Sequence, residues 1–183
     1  DEAGEPELVR TISEFSCPQN PDVEFFLKKS AIEFARKSQS VTYLVFSVEN
    51  KELLGYFTLA LKPLTVRGET VSNTTKRKLL RVSELDKRSD TYTMSAYLIA
   101  QLGKNYANGA NMKITGKELV ELAWNVIEDA QYMLGGMVVF LEAENEDKLL
   151  AFYKANRFSQ FDPRQTEGGI TEPHELVQLL RLL

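Results

Sequence analysis

The chain has 183 residues, a formal net charge of −4, one cysteine and one histidine. This length predicts a single domain that buries a core without disulfide or metal staples; Cys17 alone excludes a disulfide framework and a cysteine-rich zinc site, and His174 alone excludes a multi-histidine metal site. The acidic balance argues against a dedicated nucleic-acid binder, and no apolar run approaches membrane-span length, the longest being Gly135–Leu141.

Asp1 to Glu7 is acidic and lacks the apolar segment of a secretory signal, so a soluble, cytoplasmic protein with no membrane partner is expected. Leu8–Phe15 reads as a short first strand. Pro18 and Pro21 mark a turn, after which Asp22 is expected to cap a helix running to about Lys37, with Val23, Phe26, Leu27, Ser30, Phe34 and Ala35 on one face. Val41–Val48 and Leu53–Leu61 come next as a hairpin, and Pro63 is expected to end its second strand. From Lys62 to Arg88 eight basic residues face three acids, a local charge of +5 in an acidic chain. This basic insert, at about 62–90, is expected to hold a short helix over Thr74–Leu85.

Ser95–Leu102 is the next strand and leads into a polar loop, Gly103–Thr115. Leu119, Leu122, Ala123, Val126, Ile127 and Ala130 then recur at helical spacing until Gly135 and Gly136 break the helix. Met137–Leu141 is a continuous apolar strand of the buried kind. Glu146–Ala155 reads as a helix, Arg157–Phe161 as a short strand, and Glu175–Leu183 fits either a strand or a helix. The alternation of elements predicts one α/β domain over residues 1–183 with a mixed sheet.

Two segments carry candidate chemistry. Asn111–Glu118 opens the amphipathic helix, and a helix N-terminus offers unsatisfied N–H groups and a positive dipole end to phosphate oxygens. Gly116 allows close backbone approach, and Lys113 and Lys117 add positive charge. The plain structural alternative is a capping box, Thr115-x-x-Glu118, which needs no ligand. The second segment, Glu142–Phe158, hands a strand over to a helix at Asn145, a natural N-cap. Its Phe152 and Tyr153 form either a core pair or a site.

The element order, the segment Glu142-Ala-Glu-Asn145-(x)5-Ala151-Phe152-Tyr153-(x)4-Phe158 and the strand Leu98–Lys104 together resemble the GNAT family of acetyl-CoA-dependent N-acetyltransferases. The resemblance covers roughly Leu8 to Phe161. It implies an α/β fold with a mixed, mostly antiparallel central sheet flanked by helices. It also implies transfer of an acetyl group from acetyl-CoA, the co-substrate, to a primary amine of a small molecule or protein, without a metal.

By the same resemblance, backbone N–H groups of Leu102, Gly103 and Lys104 polarise the thioester carbonyl. Those of Ile114, Thr115, Gly116 and Lys117 hold the pyrophosphate, Asn145 lies near the pantetheine arm, and Tyr153 protonates the departing sulfur. The base is left unassigned; Glu142 and Glu144 are read as lying on opposite strand faces. The pyrophosphate loop departs from the family pattern, with Asn111 for Gln or Arg and Ile114 for the first glycine, and Asn156 stands where many members have Gly. These departures keep open a non-catalytic GNAT-fold binding or regulatory protein. The basic stretch Lys76–Arg81 keeps open a toxin that acetylates charged tRNA. A homodimer is also left open. Cys17 and Trp124 are expected to be packing residues, and His174 a solvated surface residue.

Overall fold

The computed structural model describes residues 4–166 and 173–183. The acidic Asp1–Ala3 lies outside them. The first element is a helix, α1 (Glu5–Ser13), where a strand was expected. Leu8, Ile12 and Phe15 are spaced i, i+4, i+7, a helical and not an alternating pattern. Pro6 sits in the first turn with Glu5 and Glu7, and Arg10 in the last, all suited to the helix dipole.

The next helix starts earlier than predicted. Asn20, and not Asp22, is the cap: its side chain accepts from the Val23 N–H. The helix comprises α2 (Pro21–Phe25), a π-helical turn (Phe26–Ser30) and α3 (Ala31–Arg36). Strand β1 (Val41–Phe46) pairs antiparallel with β2 (Leu53–Arg67). β2 runs through Pro63, which is exposed, so the missing N–H there interrupts no core contact.

The basic insert contributes the end of β2, the short helix α4 (Asn73–Leu79) and β3 (Glu84–Asp86). α4 ends earlier than expected, and the residues beyond it turn back into a hairpin with β4 (Thr91–Lys104). α5 (Gly116–Leu134) ends at Gly135 and Gly136, whose φ angles of 77° and 97° favour glycine. Then come β5 (Val138–Glu144), α6 (Asp147–Ala155), β6 (Ser159–Gln165) and β7 (Glu175–Leu182), which settles the last segment as a strand. The sheet order is β1-β2-β4-β5-β7-β6, with β3 paired to β4 off that path. β4 and β5 run parallel, while β5–β7 and β6–β7 are antiparallel.

The chain divides into two compact units. One comprises the chain up to Ala60 with Ala100–Trp124. Its core gathers Ile12, Phe15, Val23, Leu27, Leu53 and Tyr56. Phe15 meets Tyr56 edge-on at 5.2 Å, and the Tyr56 hydroxyl donates to the Val23 carbonyl at 2.6 Å. Cys17 is buried here, and burial pushes its thiol up, which makes it the inert packing residue expected. The other unit comprises Leu61–Ile99 with Asn125–Leu183, and its core gathers Val66, Leu79, Tyr92, Met94, Val138 and Phe140, among others.

Candidate active site

The N-terminus of α5 is a built capping box. The Thr115 hydroxyl accepts from the Glu118 N–H at 3.1 Å, and the Glu118 carboxylate accepts from the Thr115 N–H at 2.7 Å. The Thr115 N–H and hydroxyl hold the Glu118 carboxyl below the usual carboxylate range. The capping box satisfies the third helical N–H and leaves those of Gly116 and Lys117 at the helix mouth. Both nearby lysines are engaged: Lys113 pairs with Glu52, and Lys117 with Glu121 at 3.5 Å. The Ile114 side chain is buried, so a hydrophobic anchor stands where the expected glycine is missing.

The end of β4 lies in the same unit and is pinned by Asn105, a buried residue that sequence reasoning passed over. Its Nδ2 donates to the Leu53 carbonyl at 2.8 Å, and its Oδ1 accepts from the Ser16 and Ala107 N–H groups at 3.0 and 3.1 Å. The Asn105 N–H donates to the Leu54 carbonyl at 2.8 Å. Asn105 therefore staples three segments through both the nitrogen and the oxygen of its side-chain amide. Only its place in a run of loop-forming residues hinted at it. Lys104 is fixed as well, donating to the Asn111 carbonyl at 2.9 Å with its ammonium 5.9 Å from the centre of the Tyr106 ring.

Gly103 is buried, with its carbonyl against Gly55: a Cβ on Gly55 would lie 2.7 Å from that oxygen, and a Cβ on Gly103 would lie 2.5 Å from Val23 Cγ1. Gly103 is thus a packing requirement in its own right. The parallel ladder of β4 and β5 consists of Tyr97↔Val139 and Leu98↔Phe140, and β4 continues beyond it to Lys104.

In the second unit, Glu146 and not Asn145 occupies the N-cap of α6, with extended φ and ψ of −114° and 126° and no side-chain cap. Asn145 is one residue further out, exposed, on a cavity it shares with Gln160, Phe161, Asp162, Pro163 and Val177. The strand exit is a tight turn, the Glu146 N–H donating to the Glu144 carbonyl at 2.8 Å, which moves the cap by one position.

Tyr153 is buried in the middle of α6 between Phe152 and Phe158, with ring centroids at 5.1 and 5.9 Å. Its hydroxyl has no hydrogen-bond partner among the described residues, and burial pushes it up to about 12. α6 closes in a Schellman turn, with Phe158 N–H donating to the Tyr153 carbonyl and Arg157 N–H to the Lys154 carbonyl, both at 3.0 Å. The left-handed residue of that turn is Arg157, at φ 68°, and not Asn156, at φ −90°. Holding a non-glycine residue there costs roughly 1–2 kcal/mol.

Glu142 and Glu144 are two residues apart and so share one strand face, which corrects the sequence reading. Each is committed: Glu142 to Arg164 and Gln178, at 2.6 and 2.9 Å, and Glu144 to His174 at 2.9 Å. His174 is half-buried in an ion-pair geometry and is not a solvated residue. No group of three or more His, Cys, Asp or Glu able to hold a metal ion occurs among the described residues, and no helix there is long and apolar enough to cross a membrane.

No protein-family model matches the sequence, and no curated protein matches it. Solved structures do match in shape. AtaT complexed with acetyl-methionyl-tRNAfMet superposes with a TM-score of 0.65 at 19% identity, covering 93% of this chain and 86% of that one. A tyrosine-to-phenylalanine variant of KacT gives 0.64 at 20% identity, covering 93% and 86%. AtaTR bound with acetyl-CoA gives 0.58 at 19%, covering 93% and 84%.

The chain has the GNAT fold. At this level of identity the likeness is one of architecture, and it bears out the mixed, mostly antiparallel sheet with flanking helices. Of the residues nominated from the sequence, Leu102, Gly103, Lys104, Ile114, Thr115, Gly116 and Lys117 belong to the first unit and Asn145 and Tyr153 to the second.

Proposed function

We propose that this chain is an acetyl-CoA-dependent N-acetyltransferase acting on a primary amine in the cytoplasm. The observation that carries the reading is Tyr153, whose ring is buried against Phe152 and Phe158 on a helix of a GNAT fold while its hydroxyl is not among the buried side-chain atoms left without a partner. Its raised value keeps the proton on at any physiological pH.

The chain's residues fit the coenzyme in part. The mouth of α5 offers the Gly116 and Lys117 N–H groups to a pyrophosphate, and Gly116 removes the side chain that would crowd it. Acetyl-CoA supplies a thioester, whose acyl carbon the acceptor amine attacks and whose sulfur leaves as a thiolate. Main-chain N–H groups alternate in direction along a strand. Asn105 N–H points to β2, so Gly103 does too, and Leu102 and Lys104 present theirs to the opposite edge. In this reading those two polarise the carbonyl as charge develops on its oxygen. Tyr153 donates its proton to the thiolate and regains one from the new ammonium through water. Asn145, exposed at the strand exit, remains the candidate for the pantetheine amides.

Gly116→Glu tests the reading. A carboxylate at the first helical position suits the helix dipole, so the fold is kept, while the pyrophosphate is blocked and repelled. Acetyl-CoA should raise the melting temperature of the wild type and not of the variant. An equal rise in both removes the coenzyme from this helix mouth, and no rise in either favours a non-catalytic binding protein.

A second reading is favoured by the exposed Arg77, Lys78 and Arg81 of the insert together with the likeness to AtaT in its complex with acetyl-methionyl-tRNAfMet. In it the acceptor is the amino group of a charged tRNA. Charge reversal at Arg77 and Lys78 should then abolish acetylation of aminoacyl-tRNA and leave acetyl-CoA affinity unchanged. Equal loss of both refutes that division of labour.

A further inference from the structure

We propose that the second unit carries a phosphate-binding site, separate from the acetyl-transfer residues, built around Arg157 and Arg181. The two arginines line one cavity of about 360 Å³ together with Ser72, Thr75, Ser159 and Gln160, and no acidic residue lines it. Two guanidinium forks, the Ser159 hydroxyl, one hydroxyl of the mutually bonded Ser72 and Thr75 pair, and one carboxamide are the donor set that a phosphate group takes, bidentately from arginine and singly from the others.

Three features set this cavity apart from an ordinary polar surface. Arg181 is half-buried and oriented, with its Nη1 donating to the Asn156 carbonyl at 3.3 Å. Burial, and then repulsion from Arg157, lowers the Arg181 guanidinium from its ordinary value, with Glu128 opposing in part. Both guanidinium groups line the one cavity, where a single anion can meet them together. Arg157 has the left-handed φ of 68° at the end of α6, where glycine would be unstrained. A strained residue kept at a cavity mouth points to a role for its side chain. The hydroxyls are ordered too: Ser72 Oγ lies 3.0 Å from Thr75 Oγ1 and accepts from the Thr75 N–H at 3.1 Å.

Asn145 does not line this cavity, although Gln160 lines both it and the cavity on which Asn145 sits. Arg181 pairs with Val139 near the start of β5, whereas Glu144, next to Asn145, pairs with Leu176. Five residues of strand separate the two ends, about 17 Å. The site does not depend on the acetyl-transfer reading. Its ligand is a phosphate group carried either by a free phosphoester or by the 5′ end of an RNA.

Arg157→Gly and Arg181→Gln test it on the full chain. The first relieves backbone strain and the second keeps an amide for the Asn156 carbonyl, so both fold, which circular dichroism checks. Inorganic phosphate, titrated by calorimetry, should bind the wild type at millimolar concentration and each variant at least tenfold more weakly. Absence of binding to the wild type, or affinities within twofold in both variants, overturns the site.

A short RNA with and without a 5′-phosphate then separates the sources. Weakening by both variants of the phosphorylated RNA alone assigns the site to an RNA end. RNA binding indifferent to the variants, with inorganic phosphate binding lost, assigns it to a free phosphoester. Weakening of both RNAs alike, with inorganic phosphate unaffected, refutes a phosphate pocket and leaves only diffuse charge.

Discussion

The Phe158 N–H donates to the Tyr153 carbonyl at 3.0 Å while the two rings meet edge-on at 5.9 Å. The turn that ends α6 therefore also fixes the ring that carries the candidate acid. Packing and chemistry are compatible at this residue, and they separate only when the hydroxyl is removed and the ring kept.

Tyr153→Phe does that. Turnover should fall by about 10²–10⁴, the range for loss of a general acid, with acetyl-CoA affinity and melting temperature close to wild type. Steady-state kinetics beside calorimetry on the one variant is the measurement. Turnover near wild type would leave Tyr153 as a packing residue and water as the proton source.

The same hydroxyl sets an alkaline limit. Its folded value of about 12 lies above the ordinary tyrosine value, so the neutral form belongs to the folded state. The contribution is fully present below about pH 10 and is lost as pH rises toward 12, because the unfolded chain ionises first. Chemical denaturation between pH 9 and about 12 should show a stability decline that is shallower in Tyr153→Phe.

Gly103→Ala should destabilise the first unit by about 1–3 kcal/mol through overpacking. The new Cβ would sit 2.5 Å from Val23 Cγ1. Val23→Ala in the same chain removes the obstructing methyl and should recover part of the loss. Urea denaturation of the single and double variants measures the coupling, and additivity would locate the strain elsewhere.

Thr115→Ala should cost about 1 kcal/mol by removing an N-cap. The Glu118 carboxyl is depressed by the Thr115 N–H and hydroxyl, so its contribution is present above its unfolded value and lost as pH falls through the folded one. The gap between wild type and variant should narrow below about pH 4. A pH-independent gap would mean that the hydroxyl acts on the helix alone.

Local signals decided which parts of the fold were legible. The α5 capping box was readable because Thr115 and Glu118 stand at the spacing their mutual bonds require. The apolar run of β5 was readable from its continuity. α1 was misread as a strand because Leu8–Phe15 is short enough to fit both periods, and Pro6 with its flanking acids decides for helix only when read as a cap. Asn20 and Glu146 show how a cap shifts by a residue or two when the preceding turn is tight. The staple formed by Asn105 and the pairing of His174 with Glu144 join segments 52 and 30 residues apart, and no local pattern encodes such contacts. Among the candidate site residues the backbone donors were legible as positions. The direction of their N–H groups required the sheet, where Asn105 binding to Leu54 fixes the alternation.

Between α2 and α3 the chain holds one residue more than an α-helix needs, because the Ala31 N–H reaches back to the Phe26 carbonyl. An i→i−5 bond absorbs an extra residue without rotating α3, and Val23, Leu27 and Ala31 all stay buried. Deleting Lys28 or Lys29 should therefore leave a regular α-helix with everything from Ala31 onward still in phase. Inserting a residue there would rotate α3 by about 100° and turn its buried alanine out of the core. The helix can lose a residue at this turn and keep its angular register, but it has no slack left to gain one.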